Sequence, residues 1–153
     1  MSTPHIIVGT VASDSHMWNL VYLDLALREL GCTTQVLPVC TQASHYLDAA
    51  RTQAPDLVLV STVNGHGVSD AVRLADNLRT APELAAVAFA VGGKLTTSGH
   101  LPDDDLARLD DAGYTFIEQA DETSDTPAEL RRIVQEIARK NDERENSHVR
   151  SSR

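Results

Sequence analysis

Short apolar runs alternate along the chain with longer stretches in which apolar residues recur every three or four positions. The first run, His5-Ile6-Ile7-Val8-Gly9-Thr10-Val11, is rich in β-branched residues and almost unbroken, as expected of a parallel strand buried on both faces. A polar loop spans 12–17. Leu20, Leu23, Leu27 and Leu30 then share one helical face, widened by Val21 and Leu25, and Gly31 is placed to end the helix. Residues 33–39 predict a second strand ending near Pro38. Tyr46, Leu47 and Ala50 predict a second helix, broken at Pro55-Asp56. Leu57-Val58-Leu59-Val60 is a third strand, and a glycine-bearing loop over 61–67 leads into a third helix carrying Val68, Val72, Leu74, Ala75 and Leu78. Residues 84–91 predict a fourth strand, stopped by Gly92-Gly93. A helix over 102–112, with Gly113 after it, precedes a short fifth strand over 114–117. Thr126-Pro127 opens a last helix with Leu130, Ile133, Val134 and Ile137 on one face.

Five strand-then-helix repeats imply a parallel sheet with helices on both faces, joined by right-handed crossovers. Five strands in one domain predict the flavodoxin-like, doubly wound order 2-1-3-4-5. The chain of 153 residues suits one domain. Residues 141–153 hold a single aliphatic side chain among dense mixed charge and read as a disordered tail after an ordered domain over 1–140.

Composition narrows the function. Thirteen Lys and Arg against twenty-two Asp and Glu leave a net charge of −9, which opposes nonspecific nucleic-acid binding and anionic membrane surfaces. No apolar run nears the roughly 20 residues that span a bilayer. No basic region precedes the first apolar stretch, so no secretory signal is expected. Cys32 and Cys40 form neither a disulfide framework nor a zinc or redox motif, and a cytoplasmic setting is expected.

In a doubly wound sheet, ligands bind beyond the carboxyl ends of the strands, near the switch in strand order. The loops there carry the least core-like sequences: Ser13-Asp14-Ser15-His16-Met17-Trp18-Asn19, Ser61-Thr62-Val63-Asn64-Gly65-His66-Gly67 and Gly92-Gly93-Lys94-Leu95-Thr96-Thr97-Ser98-Gly99. A carboxylate beside an imidazole holds one ring nitrogen protonated and frees the other as a base or metal ligand; Asp14 is equally a candidate helix cap. Ser61 is placed to cap its own helix or to reach Asp14 and His16. Gly92-Gly93 admits a bulky group close to the backbone, or is a flexible turn. A phosphate loop is absent by motif. A phospho-receiver needs an acidic residue where the third strand ends in Val60-Ser61. The six histidines show no zinc-ligand spacing.

Together the three loops resemble the cobalamin-binding domain, most closely the small subunit of glutamate mutase (methylaspartate mutase). That family carries Asp-x-His-x-x-Gly, Ser-x-Leu and Gly-Gly after strands one, three and four; this chain has Asp14-Ser15-His16-Met17-Trp18-Asn19, Ser61-Thr62-Val63 and Gly92-Gly93. The resemblance covers about residues 4–138. It implies that His16 is the lower axial ligand of cobalt and that Asp14 bonds its other nitrogen. It places the cofactor's nucleotide tail between the sheet and the first helix. Ser13, Ser15, Met17 and Asn19 would line it from one loop, and Ser61, Thr62, Val63 and Gly65 from the next. Gly92, Gly93, Lys94, Leu95, Thr96 and Thr97 would leave room on the far side. The implied role is the cobalamin-carrying subunit of an adenosylcobalamin-dependent carbon-skeleton mutase acting on glutamate or a related acid. A larger barrel-type subunit would complete it as a heterotetramer and carry the catalytic residues. The alternatives are a corrinoid methyl carrier, whose family places a helical bundle ahead of the domain, and a degenerate interaction module. Two positions depart from the pattern: Val63 replaces Leu, and Asn19 replaces the last Gly with a side chain where the tail passes close by.

Overall fold

The structure, a computed structural model, describes residues 3–63, 65–93, 95, 100–117 and 126–151. Among these, strands and helices alternate as β1 (His5–Gly9), α1 (Trp18–Glu29), β2 (Thr33–Val36), α2 (Ala43–Thr52), β3 (Leu57–Ser61), α3 (Gly67–Leu78), β4 (Ala88–Gly92), α4 (Asp103–Asp111), β5 (Tyr114–Ile117) and α5 (Thr126–Ser151). The sheet runs β2-β1-β3-β4-β5 with every pair parallel, the doubly wound, flavodoxin-like order expected from the alternation. Because side chains alternate across a strand, β1 splits its apolar residues between two cores. Ile6 and Val8 join Leu57, Leu59, α1 and α5. Ile7 joins Val58, Val60, Phe89, α2, α3 and α4. The order reverses between β1 and β3, so α1 and α3 leave opposite faces and their preceding loops meet at one point.

β2 ends at Val36 and not near Pro38, and three further boundaries differ from the pattern in the sequence. β1 stops at Gly9 because the chain then bends away, the Thr10 amide donating to Thr41 Oγ1 at 3.0 Å. β4 begins only at Ala88. The apolar stretch before it is a run of turns whose carbonyls serve a side chain instead of a ladder: Arg79 Nη1 donates to the carbonyls of Leu84 at 3.2 Å and Val87 at 2.6 Å. Its guanidinium also lies 3.7 Å from the centre of the Phe89 ring.

The largest difference is at the C-terminus. Where composition predicts a disordered tail from residue 141, α5 continues unbroken to Ser151. Low hydrophobicity opposes nucleating an isolated helix, but extending one already anchored by Leu130, Ile133, Val134 and Ile137 needs no new nucleus. Within the extension Glu143, Arg144 and Glu145 are good helix formers. Pairs at i,i+4 link Arg139 to Glu143 at 2.6 Å and Lys140 to Glu136 at 3.6 Å. Asn141 ties the start of the extension to the domain through Asp56 Oδ1 at 2.8 Å.

Candidate functional site

Asp14 is the organising residue at the carboxyl end of the sheet. It is only 1% exposed, and both carboxyl oxygens are fully engaged. Oδ1 accepts from the His16 amide at 2.9 Å and pairs with His16 Nδ1 at 2.7 Å. Oδ2 accepts from the Thr62 hydroxyl at 2.6 Å and the Val63 amide at 2.8 Å. Burial pushes the carboxyl pKa up, but the bonds from Thr62, His16 and Val63 outweigh it and hold it at about 2. An ionised carboxylate only accepts, so Nδ1 of His16 carries the hydrogen. In the neutral ring Nε2 is then left with a bare lone pair. The His16 side chain is 60% exposed, so that lone pair is available to a metal arriving from outside.

The alternatives left open by the sequence now resolve. Asp14 does not cap α1, whose first turn has no side-chain cap; it closes a local turn onto the His16 amide. Ser61, buried at the end of β3, neither caps α3 nor reaches Asp14. Its hydroxyl instead accepts a hydrogen bond from Asn19 Nδ2 in the first turn of α1. Thr62 makes the reach across. The double glycine packs closely against the protein itself. Gly93 has φ +101°, and a Cβ there would run into the Thr62 carbonyl; a Cβ on Gly92 would press on Ile117. Gly65 turns the chain at φ +81°. Leu95 is buried, and its carbonyl accepts from the Gly67 amide at 3.2 Å. Lys94, Thr96 and Thr97 lie outside the described residues. Ser13 and Ser15 are exposed, Ser13 donating to Asp70 Oδ2 at 2.7 Å.

Sequence reasoning missed Asp70 as the anchor of the first loop and Thr62 as the partner of Asp14. The only signal was that a carboxylate buried beside a strand end needs donors, and Thr62 offers a hydroxyl immediately after the adjacent strand β3. Met17 and Trp18 are exposed beside the site. With Val21, Tyr22 and Leu25 they form an apolar stripe on the outer side of α1, opposite the buried Leu20, Leu23 and Leu27. A separate cleft of about 410 Å³, lined by Asp56, Arg79, Glu136 and Arg144, lies among residues at the amino ends of the strands, away from these loops. Among the described residues no helix is long and apolar enough to cross a membrane.

The chain is 38% identical over 92 residues to the glutamate mutase sigma subunit of Halobacterium salinarum, a match spanning 60% of each chain. A cobalamin-binding protein from Desulfitobacterium hafniense superposes with a TM-score of 0.61 at 15% identity, covering 89% of this chain and 60% of that one. The chemotaxis response regulator CheY4 of Vibrio cholerae gives 0.63 at 11% identity, covering 89% and 99%. At such identities these two likenesses establish the fold alone, and the receiver reading still lacks an acidic residue at the end of β3, where Ser61 stands. The B12 binding domain model matches residues 4–126, a span that contains Asp14, His16, Ser61 and Gly93; the chain belongs to the B12-binding domain family.

Proposed function

We propose that this chain is the cobalamin-carrying small subunit of a two-component, adenosylcobalamin-dependent carbon-skeleton mutase of the glutamate mutase type. The observation that carries the reading is the Asp14–His16 pair: the buried Asp14 carboxylate lies 2.7 Å from Nδ1 of a His16 side chain that is 60% exposed, so an ionised Asp14 would keep the hydrogen on Nδ1 and leave Nε2 as the ligating nitrogen. The donor set fits a corrinoid. Cobalt in a macrocycle brings most of its coordination with it, so a single exposed imidazole such as that of His16 suffices to hold it. His16 would hold the cobalt from below, and Asp14 would set the ring's orientation and basicity. Ser61, Val63 and the glycine turn after β4 would face the nucleotide tail. When bound, adenosylcobalamin supplies a cobalt–carbon bond that cleaves homolytically to begin a radical rearrangement.

The three loop sequences carry no arginine to hold a substrate carboxylate, and on this reading the chain works in the cytoplasm with a larger barrel-type subunit that binds glutamate or a related acid. The relative from Halobacterium salinarum is named as a subunit, which supports that division of labour. The test is electron paramagnetic resonance of the cob(II)alamin complex with 15N-labelled histidine. The expected result is coupling to one 15N nucleus that vanishes in His16→Ala, while the stability of that variant stays within about 0.5 kcal/mol of the parent, as for an exposed loop side chain. Coupling that persists in the variant, or a chain that binds no cobalamin, would overturn the reading.

A further inference from the structure

The outer and inner halves of the candidate site are in different states. His16 stands open to solvent, whereas the inner wall is shut. Asn19 is the second residue of α1 and Ser61 the last of β3, and the Asn19 carboxamide donates to the Ser61 hydroxyl across the gap between them. Leu20, the next residue, is buried in one cluster with Val8 and Leu59, so the helix lies directly on the sheet. Ser61 is 3% exposed, and among the described residues Asn19 is the partner its hydroxyl has. Any group entering between the first turn of α1 and the end of β3 must part these two side chains.

We propose that Asn19–Ser61 is a latch and that Asn19 is a specificity-determining residue. It admits the corrin ring to His16 freely but delays a corrinoid that carries a lower nucleotide tail. This rests on the cobalamin reading above. A ligand with cobalt and corrin but no tail meets only the open half of the site. A tailed ligand must wait for the latch to open, and a neutral hydrogen bond of ordinary net strength lowers the open population roughly fivefold. A buried hydroxyl left without its partner adds to the resistance.

Stopped-flow mixing with aquocobalamin and with the tail-less diaquocobinamide tests this. It is followed by corrin absorbance and by the fluorescence of Trp18, the chain's single tryptophan, which is 78% exposed beside Asn19. Asn19→Ala is expected to speed cobalamin association roughly fivefold and to leave cobinamide unchanged. Ser61→Ala should act in the same direction, and the double variant should add nothing further. In the ligand-free chain, Asn19→Ala should raise amide exchange in the first turn of α1 by a similar factor. Equal acceleration of both corrinoids would show a general loosening of α1, and an unchanged cobalamin rate would show no latch; either overturns the proposal. A parent chain that binds neither corrinoid sinks the proposed function and this use of the latch together. The exchange measurement then separately reports whether the contact holds α1 closed.

Discussion

The two ends of β1 each carry a histidine near an aspartate, and they behave oppositely. His5, at the amino end, is 6% exposed. Its Nδ1 lies 3.0 Å from Thr33 Oγ1, its amide donates to Asp56 at 2.8 Å, and Nε2 is buried with no partner among the described residues. Burial lowers its pKa against the opposing pull of Asp56. His16, beyond the carboxyl end, has its carboxylate buried and its ring outside. Histidine next to aspartate is therefore not itself a sign of function. The difference lies in which partner is buried. A buried carboxylate with four donors is rigid and orients an exposed ring, whereas a buried ring beside strand ends is a packed side chain with one nitrogen stranded.

The sharpest way to break the contrast is to remove the buried carboxylate. Asp14→Ala loses charge-assisted bonds to Thr62, Val63 and His16 and strands a buried hydroxyl, so urea unfolding should show a loss of about 3 kcal/mol. Acid provides a smaller version of the same experiment. The Asp14 pKa is depressed in the folded state to about 2 from an ordinary 3.8, so its stabilisation is present above the unfolded pKa and fades as pH falls from about 4 towards 2. The stability at stake is about 2 kcal/mol, and Asp14→Asn should flatten that limb of the profile. The smallest effect belongs to His5. Its folded pKa is lowered, so the unfolded chain takes up the proton first, and stability should decline as pH drops below about 6.5. His5→Gln should abolish that decline and leave the cobalamin spectrum untouched; a spectral change would undo the distinction between the two ends.

Most of the fold was legible because β-branched runs and leucine spacing report burial directly. β3, β5 and the buried faces of α1 and α5 needed nothing else. The late start of β4 was not, because Leu84 and Val87 are apolar in either conformation, and only the reach of Arg79 decides where their carbonyls go. The extension of α5 was hidden for a related reason: composition reports the absence of a core but not the continuation of a helix anchored elsewhere. In the site, the two-residue spacing of Asp14 and His16 exposed their pairing. The partners contributed by other elements, Thr62 and Asp70, were invisible because contacts made across the switch point leave no periodicity.

The apolar stripe on the outer side of α1 has a colloidal consequence. At neutral pH a charge of −9 keeps copies apart. The isoelectric point lies near 5.0, and there the long-range repulsion disappears while Trp18, Val21, Tyr22 and Leu25 remain uncharged and outward-facing. Near that pH, folded molecules are expected to associate through this face of α1, which lowers the solubility of the chain.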